Sequence, residues 1–322
     1  MNPYKSFLNL RDYLYSKKII KSYHLDKPVI SVGNINTGGS GKTPFIYFLV
    51  KFILGRYPEK KILIVSKNYK AQSQEPLKVD LKKNNAAIFY GDEPCLLQTL
   101  MPEVDVWSGP KKFQTALKAI KTSHYDLVLV DDGFSHLKLS RNINLVLFDV
   151  SRSLDHYRLM PLGHLREPYS SLSRADMVIL TKMENQPLEK IDFFKQQIKL
   201  YNSSVYESKF KMILPLGLKK QIFLVTSIAN PEPILQFLKQ ENYSVIKHLK
   251  FSDHYALNEQ TQQSILNDLK KIDQDVDILM TEKDRIKITN EELLSRSKLI
   301  QLQVDMPEEQ KVELHEKISQ IF

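Results

Sequence analysis

Residues 32–44 read Val-Gly-Asn-Ile-Asn-Thr-Gly-Gly-Ser-Gly-Lys-Thr-Pro, an order of residue types suited to holding phosphate. An apolar strand pattern ends at Val32 and a helical pattern begins at Thr43, so the glycines fall in the turn between them. Gly38, Gly39 and Gly41 allow close backbone approach. Backbone N–H groups and the helix N-terminus then supply positive potential. Lys42 is placed for the terminal phosphates and the Thr43 hydroxyl for Mg²⁺. The usual pattern has glycine where Asn36 stands. Asparagine tolerates the left-handed backbone region better than most residues, so Asn36 is expected to turn the loop. The nucleotide set expected here is Asn36, Thr37, Gly38, Gly39, Ser40, Gly41, Lys42 and Thr43.

Such a loop needs an acid at the end of a buried strand to hold the metal. YDLVLVDDGF (125–134) supplies Asp131 and Asp132 after four apolar residues. Two adjacent carboxylates are expensive to bury without a cation; which of them touches the metal stays open. YGDEP (90–94) offers Asp92 and Glu93 on a turn before a helix, and one carboxylate that orients an acceptor hydroxyl is enough for kinase chemistry. A GTPase should carry N-K-x-D, and the nearest match is TKME (181–184). A partitioning-type ATPase should carry a lysine where Thr37 stands. Both departures favour a small-molecule kinase.

The elements that must position these residues follow from short apolar runs at 28–33, 61–66, 125–132, 143–149 and 176–182, with helical patterns at 43–55 and 111–121. Continuous apolar runs suit strands covered on both faces. The alternation predicts an α/β fold: a P-loop NTPase-like, doubly wound, mostly parallel sheet. After about residue 200 a fresh strand–turn–helix texture predicts a smaller α/β domain, giving 1–210 for the P-loop domain and 211–322 for the second.

The chain has 322 residues, 42% of them apolar, and one cysteine, Cys95. An intrachain disulfide is therefore excluded, as fits a reducing cytoplasm. Cys/His metal clusters, a secretory signal and a membrane-spanning apolar stretch are not found in the sequence. The formal charge of +9 favours an anionic partner. Nucleic acid is disfavoured, because the basic residues are scattered without a recognition motif. The opening segment reads as a helix with Tyr4, Phe7, Leu8, Leu14, Tyr15 and Ile19 on one face and Lys5, Lys17 and Lys21 outside it, while Arg11 and Lys18 intrude on the apolar arc. This pattern allows either packing on the domain or lying in a membrane interface.

VGNINTGGSGKTP, GDEP, DDGFSHLKLSR, LMPLGHLREP and FSDH, in this order, resemble the tetraacyldisaccharide 4'-kinase family of lipid A biosynthesis. The likeness runs from about residue 10 to TEKD at 281–284. It implies Mg²⁺- and ATP-dependent transfer of the γ-phosphate to the 4'-hydroxyl of an acylated glucosamine disaccharide 1-phosphate. It also implies a peripheral enzyme at the cytoplasmic face of the bacterial inner membrane, with the N-terminal helix as membrane contact and no obligate protein partner. Residue by residue, Lys42 and Thr43 match the phosphate and metal contacts. Asp92 matches the catalytic carboxylate and Glu93 the neighbouring acid of the metal set. Asp131 and Asp132 match the metal pair, Arg166 and Glu167 the nucleotide-binding LREP position, and His254 the histidine that pairs with the catalytic acid. His136 occupies the DDGFQH slot. Since His254 lies in the second domain, closure of the two domains is expected to assemble the site.

Three stretches depart from the family pattern. Ser135 replaces a glutamine, VSKNYK (65–70) stands for S-R-G-Y-G, and Asp155-His156-Tyr157 replaces a glycine-rich approach. Lys67 keeps a positive charge without arginine's bidentate fork. The competing reading is a regulatory P-loop ATPase that switches protein partners; it uses Lys42, Thr43 and Asp132 but gives Asp92 no task.

Overall fold

The computed structural model describes residues 2–253, 255–272 and 275–322. The apolar runs form a large sheet of eight strands: β1 Val29–Asn34, β2 Ile62–Lys67, β3 Leu77–Lys78, β4 Asp105–Gly109, β5 Leu127–Asp131, β6 Ile143–Asp149, β7 Met177–Thr181 and β8 Val205–Glu207. Their order is β3-β4-β2-β5-β1-β6-β7-β8, and only β3 runs antiparallel to its neighbour. Alternate residues feed opposite layers. Leu127 and Leu129 join Ile30, Val32 and the helical Phe45, Ile46 and Leu49 on one side, while Val128 and Val130 pack with Val29, Ala116 and Ala119 on the other. A strand buried on both faces has no polar side to show, so its sequence reads as an unbroken apolar run. Because the neighbours are parallel, the ends of β1, β2 and β5 place Asn34, Lys67 and Asp131 along one edge.

A second sheet of five strands follows: β9 Lys209–Ile213, β10 Gln221–Thr226, β11 Ser244–Lys250, β12 Asp277–Thr281 and β13 Ser297–Asp305. Its order is β11-β10-β12-β13-β9, with β9 antiparallel to β13. Phe223 and Val225 of β10 face Ile265, Leu266 and Met280; Ile222 and Leu224 face Ile234, Leu238 and Leu279. The chain then returns: Met306, and Leu314 and Ile318 of the helix Glu308–Ser319, pack into the core of the large sheet.

The N-terminal helix α1 spans Pro3–Ser16, with the Asn2 side chain accepting from the Tyr4 and Lys5 amides. It is shorter than the sequence pattern suggests, for Lys18 takes a left-handed φ of 56° and Ile19 lies beyond the end. The expected apolar face is also split. Leu8 is buried, while Phe7 is 61% exposed and Ile19 64%; Leu10 and Tyr13, outside the expected face, are 57% and 54% exposed. Arg11, the apparent intruder, faces the domain and binds Glu167 through Nη1 at 2.8 Å and Nη2 at 2.7 Å. No helix among the described residues is long and apolar enough to cross a membrane.

Candidate active site

The glycine-rich loop leaves β1 at Asn34 and enters helix α2, Lys42–Leu54, through Gly41. Gly41 sits in the left-handed region at φ 85° and leaves the helix N-terminus without a side-chain cap. A side chain there would also strike the Phe210 ring, 2.6 Å from an added Cβ. Added Cβ atoms on Gly38 or Gly39 would meet nothing within 4 Å. The loop therefore presents uncapped amides and open space, which suits a phosphate chain. Asn36 corrects the sequence reading: the left-handed turns fall on Gly38 and Gly41, while Asn36 is buried and bridges the backbone of Leu165.

The loop is stapled from behind by residues distant in sequence. Asn34 Nδ2 donates to Ser40 Oγ at 2.9 Å, the Thr37 amide donates to the His164 carbonyl at 2.8 Å, and Thr181 Oγ1 donates to the Ser40 carbonyl at 3.2 Å. Lys182 Nζ donates to the Gly39 carbonyl and, at 2.7 Å, to Asp149 Oδ2. The segment that fails as a guanine motif thus serves the loop instead. Lys182 went unforeseen because its partner lies 143 positions away.

Lys42 lies 3.5 Å from Asp132 Oδ1, and Arg166 grips the same carboxylate through Nη1 at 2.9 Å and through Nη2. Although burial opposes its charge, Lys42 and Arg166 hold Asp132 far below the usual carboxylate range. Asp131 is buried and accepts from Ser66 Oγ at 2.8 Å. Burial first and the Glu93 charge second push its carboxyl up to about 6, against Lys42 and Lys112. A divalent cation would relieve both burial and repulsion here, so the donor set fits Mg²⁺. No cluster of three or more His, Cys, Asp or Glu side chains suited to a metal occurs among the described residues. Mg²⁺ is commonly held by one or two carboxylates, with water and substrate phosphate oxygens completing its shell. The Lys112 ammonium is fully enclosed, donates to the Asp132 carbonyl, and is pulled down to about 8 by burial. His136 is held down to about 4, chiefly by burial and then by Lys112, so its ring is neutral near pH 7.

Asp92 opens the helix Asp92–Leu100 after Gly91, whose φ is 99°. It faces the second sheet, with Lys287 Nζ 3.8 Å from Oδ2. Glu167 is not with the loop. It is fully buried, and Arg11 and Arg174 take both its oxygens. Burial opposes its charge, but the two arginines keep the carboxyl below the usual glutamate range. The expected nucleotide contact is therefore an anchor for α1. His254 lies outside the described residues. The structure thus brings Lys42, Arg166 and Glu93 to the Asp131–Asp132 pair at the end of β5, has Thr43 follow Lys42 at the start of α2, and sets Asp92 at the cleft facing the second sheet.

This arrangement can be compared with known proteins. The family model for tetraacyldisaccharide-1-P 4'-kinase matches residues 2–322. The protein named tetraacyldisaccharide 4'-kinase in Bdellovibrio bacteriovorus is 32% identical over 296 residues, covering 88% of this chain and 86% of that one. Its namesake in Aquifex aeolicus is 31% identical over 269 residues, covering 81% and 82%. The crystal structure of LpxK from Aquifex aeolicus in complex with ATP superposes with a TM-score of 0.78 at 27% identity, across 99% of this chain and 96% of that one. With a match from end to end and a shared fold, this chain belongs to the tetraacyldisaccharide-1-P 4'-kinase family.

Proposed function

We propose that the chain transfers the γ-phosphate of ATP to the 4'-hydroxyl of tetraacyldisaccharide 1-phosphate in lipid A biosynthesis. The observation that carries the reading is the pairing of a phosphate loop with a separate carboxylate. Asp92 stands at the cleft between the sheets rather than among the cations of the loop. Lys42 leaves Asp132 for phosphate oxygens, and Arg166 holds Asp132 in place meanwhile. Thr43, Asp131 or Asp132, and Glu93 would hold Mg²⁺, which neutralises phosphate charge when bound. Asp92 accepts the 4'-hydroxyl proton as that oxygen bonds to the γ-phosphorus, and the bond to the β-phosphate oxygen breaks with ADP keeping the electron pair. His254, by family resemblance, supports Asp92. A partner-switching ATPase would leave Asp92 without a role.

The exposed Phe7, Leu10 and Tyr13 supply an apolar ridge on α1, and Lys17 ends it with its Nζ over the Tyr13 ring. These support peripheral docking at the anionic, cytoplasmic face of the inner membrane. Neither nucleic acid nor an obligate protein partner enters the reading. Incubation with ATP, Mg²⁺ and the disaccharide 1-phosphate should add a second sugar phosphomonoester in the ³¹P spectrum; ATP hydrolysis without it contradicts the reading. Deleting residues 1–24 should weaken binding to anionic vesicles, and unchanged partitioning would reduce α1 to a packing element.

A further inference from the structure

Lys287 has no motif to announce it, yet its side chain is only 5% exposed and its ammonium stands at the contact between the two sheets. Its mount is built from the ends of two adjacent parallel strands. Ser227 follows β10, and Thr281 ends β12. Asp284, fully buried, accepts from the Ser227 amide at 2.8 Å, from Ser227 Oγ, and from Thr281 Oγ1 at 2.7 Å. Lys287 Nζ donates to the fixed Ser227 hydroxyl at 2.7 Å. Its charge then reaches across the cleft to Asp92 Oδ2 at 3.8 Å.

The carboxyl ends of parallel strands are where open α/β sheets present their functional groups. Here that edge of the second sheet is aimed at the carboxylate of the first. Asp92 and Lys287 both line the cleft of about 1410 Å³ between the sheets, with Tyr47, Leu96, Tyr255 and Glu282. Burial pulls the Lys287 ammonium below the usual lysine range, against the attraction of Asp92 and Asp284; Lys283 and Asp253 complete its charged surroundings. An enclosed ammonium has lost its water and needs anions nearby. One of these is the residue assigned to the hydroxyl proton.

We infer that Lys287 is a positioning residue for phosphoryl transfer: its ammonium orients the Asp92 carboxylate across the cleft, so that joining the two sheets and aligning the proton acceptor are one event. The inference deepens the kinase reading and rests on it. Lys287 keeps its proton throughout; the hydroxyl proton goes to Asp92.

Steady-state kinetics of the full chain with ATP and disaccharide 1-phosphate test this in Lys287→Met, Lys287→Arg, Asp92→Asn and the Lys287→Met/Asp92→Asn pair. Lys287→Met should lower kcat by roughly tenfold or more while KM for ATP stays within about twofold. Lys287→Arg, which keeps the charge, should recover most of kcat. In the Asp92→Asn background the second change should cost little more, because contacting residues that act together are not additive. Multiplying losses in the double variant, or unchanged kcat in Lys287→Met, overturns the inference. Should Lys287→Met not fold, Ser227→Ala removes the hydroxyl that fixes Nζ and leaves both charges. A reduced kcat at unchanged KM supports the role, and an unchanged kcat overturns it. Failure of the kinase reading is distinct, since the wild type would then transfer no phosphate.

Discussion

On the loop side of the cleft, Lys42 and Arg166 share the Asp132 carboxylate within one sheet edge, and Lys182 with Asp149 ties down the loop beside them. On the far side, Lys287 and its serine–aspartate mount belong to the second sheet while its anion Asp92 belongs to the first. The loop side is thus a preassembled phosphate holder whose charges balance locally. On the far side Asp284 and Asp253 also face Lys287 from its own sheet, but the carboxylate across the cleft, Asp92, comes from the other. A phosphate holder must exist before substrate arrives, but a proton acceptor need be aligned only when the acceptor sugar is enclosed.

Variants on each side can break this contrast. The largest effect is expected from Lys42→Ala, which removes a charge aimed at the transferring group. It should lower kcat/KM by roughly 10²–10³-fold and weaken ATP binding as well, read by titration calorimetry. A variant that loses turnover but keeps ATP affinity would place Lys42 on the wrong side of the comparison.

Glu167→Ala touches neither side directly and should act on stability. It leaves Arg11 and Arg174 without their shared anion, at a cost of about 3 kcal/mol, the low end for breaking a buried pair because both arginines keep some water contact. Urea unfolding should show this loss together with proteolytic release of α1. An intact α1 would mean that Leu8 and the Tyr4 hydroxyl, which donates to the Arg166 carbonyl at 2.8 Å, suffice to hold it.

The smallest effect concerns Glu282, whose carboxyl is pushed up to about 7 by burial, against a hydrogen bond from Gln301. The folded protein holds this proton more tightly than the unfolded chain, whose ordinary value is 4.5. Stability from this group is therefore present at low pH and lost as pH rises through 4.5 to 7. Relative to wild type, Glu282→Gln should gain Tm between those limits; a constant difference across the range contradicts the assignment.

The loop and the large sheet were legible because their signals are local. Glycines, Lys42 and Thr43 are contiguous, and strands covered on both faces betray themselves as apolar runs. What escaped the sequence is non-local. Arg11 looked like a flaw in an apolar arc until Glu167, 156 positions on, gave it a partner. Glu167 was expected at the nucleotide because it shares the LREP stretch with Arg166, yet its carboxylate is taken by Arg11 and Arg174, the first of them far from it in sequence. The end of α1 was hidden because Lys18, not a glycine, takes the left-handed turn. Lys287 and Asp92, nearly 200 positions apart, share no pattern at all.

The most direct test follows ³²P from γ-labelled ATP into purified disaccharide 1-phosphate, wild type beside Asp92→Ala, with ATP affinity measured on both. The account predicts Mg²⁺-dependent lipid labelling by the wild type. It predicts roughly 10²–10⁴-fold slower labelling by the variant, at unchanged ATP affinity. Equal labelling by the two proteins, or an equal loss of ATP binding in the variant, would contradict the assignment of Asp92 as the acid at the centre of the reaction.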